Sequence, residues 1–583
     1  MRVPNLDKVL RQLQPSGTTV LIILAVFVGL ATAFGAIGFV MLIRYFNDLF
    51  FGLTDQILTE GLGEWDIKWW LPLIPMLGGL LVGPIVYKFA SEAKGHGVPE
   101  VMNAVARMGG IIRPRVAAAK TVASAICIGS GGSAGREGPI VQIGSAIGST
   151  VGQMFRMSGD RVRILVGCGA AAGISSVFNA PIAGVIFSLE IILGDFAIST
   201  FSPVILSSVV ASVVTRSFMG DHPAFEVPAY SLVSAWEVPL YVVMGLLLGA
   251  TGMGFTRVLS FFEDVFDRLK MSPMLKPALG GLLLGGIAMF YPQVLADGYE
   301  TIKLTLHGQI GIGLLVVLIF MKLMATCLTL GSGNSGGIFA PSLFMGAVVG
   351  GAFGVLVHSQ FPDITASPGA YALVGMAGMV AATTHAPITA LLIIFEMTSD
   401  YRIILPLMVT VVFSALVARR LYPYSIYTVK LIRRGIDIRG GRDINVLRSH
   451  KVIEIMDKSF ETISASATLQ QIFARVETSG DSYFIVVDRQ DLIRGVISFQ
   501  DLRSLLSQHT LDNLVIANDL VKEDTVVLNH DDDLEKAFDM FGVQDFKMIP
   551  VINQKEGCKV IGVLRRDDLI EYYNKMLLET LRR

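Results

Sequence analysis

Long apolar segments dominate the chain up to about residue 420, and a polar C-terminal part follows them. A bilayer-crossing helix needs roughly 20 consecutive apolar residues, and many of these segments approach or exceed that length. The clearest are Val20–Ile43, Trp70–Phe89, Leu240–Phe255 with its extension, Leu275–Phe290, Ile310–Leu330 and Ile404–Val417. The pattern predicts a mostly α-helical, polytopic membrane protein.

Residues 1–440 form the predicted membrane part, and residues 441–583 form a tail in which strand and helix patterns alternate. Two similar units occupy about 452–508 and 516–578 of the tail, and the basic segment Arg434–Arg448 is the predicted linker. Basic residues flank the membrane part at both ends: Arg2, Lys8, Arg11, Arg419, Arg420, Lys430, Arg433 and Arg434. The positive-inside rule therefore predicts cytoplasmic N- and C-termini in a bacterial-type inner or plasma membrane, with an even number of crossings.

The membrane part repeats internally, which predicts two related halves. Leu165-Val166-Gly167 and Leu373-Val374-Gly375 each open a helix of small residues. A proline-broken segment follows each of them, Asn179–Glu190 in the first half and His385–Glu396 in the second. In membrane proteins such repeats are commonly inverted, and their broken helices meet near the bilayer midplane. We therefore expect two inverted halves with broken helices.

Two glycine-rich loops interrupt the apolar pattern at corresponding places, Gly129–Pro139 and Gly331–Pro341. Irregular backbone at membrane depth persists only where protein buries it or where it lines a polar cavity. Each loop leads into an apolar helix, whose buried N-terminus presents unpaired N–H groups and about half a positive charge. Such a terminus attracts an anion without a full cation, so the ion can leave again. The loops therefore predict an anion pathway, with Gly95-His-Gly-Val-Pro99 as a third segment that lines it.

Glu137 lies inside the first loop, where a carboxylate would repel an anion or occupy its place. An ionisable residue within a membrane segment is a functional candidate by default. Protonation would let Glu137 vacate the site, which makes it a candidate gate. The alternative interpretation is a structural ion pair with its neighbour Arg136.

These motifs resemble those of the CLC family of chloride channels and chloride/proton antiporters. Gly135-Arg-Glu-Gly-Pro139 resembles the family's gating-glutamate motif, Gly337-Ile-Phe-Ala-Pro341 its second filter motif and Gly95–Pro99 its first. The resemblance implies chloride transport by a homodimer with one pore in each subunit, and Glu137 as the gating, proton-sensing group. It also implies a set of anion-binding residues: His96, Gly97, Ile338, Phe339 and Tyr427, with Tyr424 as the alternative register for the tyrosine.

Two positions depart from the family pattern. His96 stands where the filter motif usually has serine; either its ring N–H donates to the anion or the ring points away, so the preferred anion stays open. The antiporters usually carry an acidic residue on the inner proton route just after the position of Glu190, and here that residue is Ile191. Isoleucine cannot relay a proton, so we expect channel-like, uncoupled conduction. The alternative is chloride/proton antiport in which water or Glu190 supplies the inner route.

The tail resembles a tandem CBS pair. In that family a Gly-x-x-Ser/Thr-x-x-Asp segment contacts the ribose and phosphates of an adenine nucleotide. Ser498 and Asp501 fit this pattern in the first unit. The second unit offers Asp568 but has Arg565 at the hydroxyl position, so Arg565 either contacts phosphate or leaves the second site empty. A purely structural dimerisation module is the alternative, because fold does not fix function.

Two other classes of protein are weighed against anion transport. Gly333-Asn-Ser-Gly-Gly337 superficially resembles the nucleophile loop of serine proteases, but an intramembrane hydrolase needs a base beside Ser335, and His385 is the only candidate in that half. A divalent-metal transporter needs clustered intramembrane acids, whereas the intramembrane glutamates are scattered. We therefore expect no enzymatic activity, no metal site, no required cofactor and no nucleic-acid partner. The expected partners are chloride or another small anion, the lipid bilayer and, in antiport, protons.

Overall fold

The computed structural model describes residues 17–52, 69–89, 94–221, 225, 227–228, 230, 232–398, 401–436, 447, 450–479, 483–502, 515–521, 526–543, 547–554, 557 and 559–582. The basic N-terminal residues Arg2, Lys8 and Arg11 and most of the predicted linker lie outside these ranges. The chain divides into two compact units, Met1–Asp437 and Ile438–Arg583.

The described part of the first unit is built from helices joined by short loops. In chain order they are α1 Gly17–Phe51, α2 Leu73–Phe89, α3 Val98–Arg107, α4 Pro114–Gly129, α5 Glu137–Met154, α6 Gly159–Phe178, α7 Pro181–Phe187, α8 Ile198–Met219, α9 Glu237–Arg268, α10 Lys276–Ala288, α11 Tyr299–Leu306, α12 Ile312–Gly331, α13 Phe339–Gln360, α14 Pro368–Thr384, α15 Pro387–Thr398, α16 Ile404–Leu421 and α17 Thr428–Arg433. A π-helical turn, Ser188–Leu193, continues α7.

Seven helices within the described ranges are long and apolar enough to cross a membrane: α1, α6, α8, α9, α12, α13 and α16. The predicted mostly helical, polytopic fold class is therefore confirmed. Two of the apolar segments predicted from the sequence differ in length from the helices observed at those positions. Helix α9 has 32 residues, because its amphipathic C-terminal turns continue beyond the apolar run. Helix α10 has only 13 residues.

The unit has two distinguishable sides, which we name inner and outer. The carboxylate of Glu237, at the start of α9, accepts hydrogen bonds from Ala366 N and from Tyr371 OH (3.0 Å). At the other end of α9, Asp267 pairs with Lys94 (3.0 Å). The side that carries Lys94 and Asp267 is called inner, and the side that carries Glu237 and Ala366 is called outer.

Close packing of glycines joins the helices of each half in the same way. In the first half, a Cβ added to Gly144 of α5 would lie 2.2 Å from the carbonyl oxygen of Gly169 in α6. In the second half, a Cβ added to Gly346 of α13 would lie 2.4 Å from the carbonyl oxygen of Gly375 in α14. Both backbones thus touch directly, as small residues permit in lipid, and the matched pairs agree with the predicted repeat.

The broken helices α7 and α15 cap one another. Each begins with proline after a residue in the left-handed conformation, Asn179 (φ 55°) and His385 (φ 60°). The two carboxylates at the ends of these segments are exchanged. Glu190 accepts from Thr389 N (2.8 Å) at the start of α15, and Glu396 accepts from Ala183 N (2.7 Å) at the start of α7. Unpaired N–H groups at a helix start attract negative charge. Each half therefore supplies a carboxylate that accepts hydrogen bonds from the helix start of the other half.

The tail contains two three-stranded sheets of identical order. The first comprises β1 Thr462–Ser464, β2 Tyr483–Val487 and β3 Ile493–Ser498, and the second comprises β4 Leu528–Asn529, β5 Met548–Asn553 and β6 Lys559–Arg565. The first two strands of each sheet are parallel and the last two antiparallel. The accompanying helices are α18 Leu469–Thr478, α19 Phe499–Leu502, α20 Ala517–Leu520, α21 Leu534–Val543 and α22 Arg566–Arg582. Each sheet begins with one strand more than the sequence pattern indicated.

The two tail repeats exchange their N-terminal segments. Val452, at the start of the first repeat, is fully buried in the hydrophobic core of the second sheet together with Leu528 and Val551. Ala517, at the start of the second repeat, is buried in the core of the first sheet with Phe484. Neither core is therefore complete with residues from one repeat alone.

Candidate functional site

The two glycine-rich loops meet at the centre of the membrane unit. Gly135 N donates to Gly337 O (2.9 Å), and Gly337 N donates to Gly135 O (2.6 Å). This reciprocal pair joins corresponding residues of the two halves and brings the starts of α5 and α13 together. A Cβ at either glycine would lie about 2 Å from a carboxylate oxygen of Glu137. Both positions therefore need glycine because of this close approach.

Glu137 is bound by the start of the opposite half's helix. Its side chain is 2% exposed. Its Oε1 accepts hydrogen bonds from Phe339 N (2.6 Å) and Ala340 N (3.1 Å), which open α13. The other oxygen, Oε2, is buried and has no hydrogen-bond partner. The carboxylate thus occupies a helix N-terminus, where an anion binds favourably.

Arg136 points to a different neighbour. Its guanidinium carbon lies 5.0 Å from the centroid of the Tyr299 ring, within the range of a cation–π interaction. No ion pair within 4.0 Å between Arg136 and Glu137 is found in the part of the chain that the structure describes.

The loop at residues 94–97 brings His96 and Gly97 to the inner side of the same centre. The His96 ring is 2% exposed, and its centroid lies 5.8 Å from that of Tyr427. Tyr427 is itself almost fully buried, whereas Tyr424 packs against Tyr422 (5.6 Å) instead. The structure therefore brings Tyr427, and not Tyr424, beside His96. The Nδ1 atom of His96 is buried without a hydrogen-bond partner.

Ile338 and Gly97 hold the backbone of this centre in place. Ile338 is 1% exposed and immediately precedes α13, so the amides of residues 338 to 340 lie in succession at the helix start. Gly97 has φ 80°, and a Cβ there would lie 2.7 Å from Gln142 Oε1. The structure thus gathers Glu137, Ile338 and Phe339 around the start of α13, with Gly97 packed against α5.

Two buried lysines bind carbonyl groups of the loops beside this centre, and neither was predicted from the sequence. Lys120 Nζ donates to Gly95 O (2.5 Å) on the inner side. Lys322 Nζ donates to Val294 O (2.9 Å) and to Ala296 O (3.0 Å). These acceptors precede α11, whose last residue Leu306 lies against Gly369, near Ala366 on the outer side. The signal was present in the sequence, because each lysine stands alone in an apolar helix at the same distance before its glycine loop. Ala340 was also missed, because a backbone donor leaves no side-chain signature.

Paired hydroxyl groups fasten each glycine loop to the other half. Ser335 Oγ lies 2.9 Å from Ser124 Oγ of α4, and Ser133 Oγ lies 3.1 Å from Thr326 Oγ1 of α12. His385 ends α14, and its carbonyl oxygen accepts a hydrogen bond from Arg419 (2.5 Å). The side chain of Ser335 therefore contacts another hydroxyl group, and His385 lies at the C-terminal end of a helix.

Ile191 and Glu190 lie in the π-helical turn that follows α7. Ile191 is 8% exposed and belongs to the packed interior. Glu190 accepts hydrogen bonds from Thr389 N (2.8 Å), Thr389 Oγ1 (2.7 Å) and Ile388 N (3.3 Å). Three donors therefore converge on the Glu190 carboxylate and contact both of its oxygens.

In the tail, Ser498 ends β3 and Asp568 lies in the first turn of α22. The side chain of Asp501 lies outside the described residues. Arg565 donates to Asp457 Oδ2 (2.5 Å). The backbone N–H of Ser459 and this Arg565 contact hold the pKa of Asp457 below its usual range, whereas burial raises the pKa of Asp568. Groups of three metal-ligating side chains are absent from the described residues.

A carboxylate bound at a helix start and buried between two repeated halves defines a class of mostly helical membrane proteins. The family model for voltage gated chloride channels matches residues 78–419, and that for CBS domains matches residues 452–508 and 517–575. The chain belongs to the voltage-gated chloride channel family, which confirms the resemblance stated from the motifs.

Relatives and solved structures agree with this assignment. A putative chloride channel protein ClcB-like of Ralstonia nicotianae is 36% identical over 64% of this chain and 88% of its own length. An H(+)/Cl(-) exchange transporter ClcA of Vibrio campbellii is 34% identical over 66% of this chain and 86% of its own. The crystal structure of a slow cyanobacterial Cl-/H+ antiporter matches with a TM-score of 0.65, at 30% identity, and covers 71% of this chain and 97% of that chain.

Proposed function

We propose that the protein transports chloride across a membrane and that Glu137 gates the pathway. The observation that supports this most directly is the position of the Glu137 carboxylate, which accepts from Phe339 N (2.6 Å) and Ala340 N (3.1 Å). These two donors at the start of α13 are suited to a chloride ion as well as to a carboxylate oxygen. The ionised side chain therefore competes with chloride for one site.

The gating cycle follows from this competition. While Glu137 is ionised, it makes charge-assisted hydrogen bonds with the α13 amides and excludes chloride. Protonation weakens these bonds, the side chain leaves, and chloride takes the vacated donors of Phe339 and Ala340, next to the amide of Ile338. Tyr427 and His96, with Gly97, line the inner side of this centre and supply further donors.

Uncoupled, channel-like conduction is the mode of transport that we propose. Ile191 cannot carry a proton, and its neighbour Glu190 is bound by three donors at the start of α15. A proton on Glu190 would weaken those bonds, so Glu190 is a poor relay. Chloride/proton antiport is the second candidate, because a relative and a solved structure similar to this chain are named as exchangers.

One experiment separates the two modes. The purified protein is placed in liposomes, and radioactive chloride flux is recorded together with the external pH. Passive chloride flux without proton movement is the expected result. Protons that move uphill when a chloride gradient drives them would contradict uncoupled conduction and would leave chloride transport intact. Liposomes without protein provide the leak control.

We further propose that the protein is a homodimer with both chain ends in the cytoplasm, as family resemblance and flanking basic residues imply. For the tail, we propose an adenine-nucleotide site that involves Ser498 and Asp501 in the first repeat and Asp568 in the second. Because Arg565 donates to Asp457 (2.5 Å), we do not propose that Arg565 binds a phosphate group of the nucleotide. Titration of the full-length protein with ATP, ADP and AMP tests this site, and the absence of binding would favour a structural module.

A further inference from the structure

The outer loop at residues 296–298 is the repeat counterpart of the inner loop at residues 95–97. Gly95 and Gly97 have φ values of 77° and 80°, and Ala296 and Gly298 have φ values of 47° and 76°. In each loop the carbonyl oxygen of the first of these residues accepts from a buried lysine of the corresponding helix. The middle residue is His96 in the inner loop. In the outer loop it is Asp297.

Asp297 stands among cationic groups without pairing directly with them. Lys322 Nζ is 3.0 Å from Ala296 O, and a Cβ on Gly298 would lie 3.3 Å from the same Nζ atom. The ammonium group therefore lies beside the backbone on both sides of Asp297. On the other side, Tyr299 N donates to Asp297 Oδ1 (3.4 Å), and the Arg136 guanidinium lies over the Tyr299 ring.

No ion pair within 4.0 Å joins Asp297 to Lys322 or Arg136 among the residues that the structure describes. Asp297 is nevertheless near enough to interact electrostatically with both cations and with Glu137. The charged and titratable groups near it are thus Lys322 from α12, Arg136 immediately before α5, Glu137 from α5 and Tyr299 from α11. Asp297 is only partly buried.

We propose that Asp297 is a tethered carboxylate at the outer mouth that competes with an entering anion for the positive field of Lys322 and Arg136. This inference rests on the proposed chloride transport and adds a second acidic control point, separate from Glu137. An ionised Asp297 lowers anion capture at low chloride concentration. At high chloride concentration the site is saturated whether or not Asp297 is charged, so the effect on anion capture disappears.

The size of the effect follows from Coulomb's law. A unit charge a few ångströms from an anion, in a partly solvated mouth, changes its binding by about threefold to tenfold. Removal of the Asp297 charge therefore lowers the half-saturating chloride concentration by this factor. The maximal rate, which depends on the central site and on Glu137, is expected to change much less.

The test is isotope exchange of chloride across liposomes with equal chloride and equal pH on both sides, so that the orientation of the inserted protein does not matter. Gluconate keeps the ionic strength constant. The variants are Asp297→Asn and Asp297→Ser, both neutral, with serine retaining a cap for Tyr299 N. Asp297→Glu retains the charge, and Asp363→Asn neutralises an exposed acid that lies on the outer side near Ala366.

Both neutral variants should show the lowered half-saturating concentration, whereas Asp297→Glu and Asp363→Asn should match the wild type. If Asp297→Asn and Asp297→Ser behave like Asp363→Asn in this assay, the inference is overturned. Absence of chloride exchange by the wild type would overturn the proposed function itself, which is a distinguishable result.

Discussion

At the scale of single residues, the site depends on one carboxylate and on the absence of two side chains. Glu137 reaches the α13 amides only because Gly135 and Gly337 leave room for its oxygens. The sequence motif was sufficient to single out Glu137, since a charged residue in an apolar loop is conspicuous. The partner Ala340 could not be predicted, because its contribution is a backbone N–H whose direction depends on the fold.

Glu137→Gln should remove the response of chloride flux to acid pH at saturating chloride. The amide is neutral at every pH, so the occupancy of the α13 donors no longer changes with protonation. Radioactive chloride flux measured between acid and neutral pH checks this, with Glu300→Gln on the exposed face of α11 as the matched control. A normal acid response in Glu137→Gln would argue against Glu137 as the gate.

At the scale of secondary-structure elements, the exchanged caps of α7 and α15 are the clearest expression of the repeat. The sequence match between Asn179–Glu190 and His385–Glu396 predicted that two broken segments correspond. It could not predict that Glu190 and Glu396 each bind the other segment, because that contact depends on how the halves are placed. For the same reason, the sequence could not predict that Lys120 and Lys322 bind backbone carbonyls of residues distant in sequence.

Glu190→Gln and Glu396→Gln should each destabilise the membrane unit by about 1 kcal/mol, because each replaces a charged helix cap by a neutral amide. Thermal unfolding in detergent measures this, with Glu300→Gln as the control. Glu190→Gln should also leave the ratio of protons to chloride as in the wild type. A change in that ratio would mean that Glu190 does carry protons.

At the scale of the whole molecule, the chain combines a helical membrane unit with an α/β tail, each described with its own cores. Hydropathy separated these parts without any structure, since apolar length and polar alternation are strong signals. Motif order predicted the family. The exchange of Val452 and Ala517 between the tail cores was not predictable, because short segments of similar polarity fit either sheet.

The hydrogen bonds that Asp457 accepts from Ser459 N and from Arg565 should make the tail sensitive to acid. Since the pKa of Asp457 is lowered in the folded state, its contribution to stability is present above the pKa of an unfolded aspartate and is lost as the pH falls. Asp457→Asn should therefore destabilise the tail at neutral pH and have little effect at acid pH. Unfolding of the full-length protein followed at several pH values checks this.

The matched control for this prediction is Asp567→Asn, an exposed acid in the first turn of α22. It should have little effect at either pH. Equal destabilisation by Asp457→Asn at acid and neutral pH would instead indicate that the aspartate acts through packing and not through its charge.

The exchanged segments of the tail also constrain how the protein is made. A ribosome that has released the first repeat has not yet supplied Ala517, which belongs to that repeat's core. Domains usually fold one after another as they emerge, but here the earlier sheet must wait for residues encoded later. The core of the first sheet is thus completed only after Ala517 has been synthesised, and a message truncated between the repeats would yield a tail without a complete core.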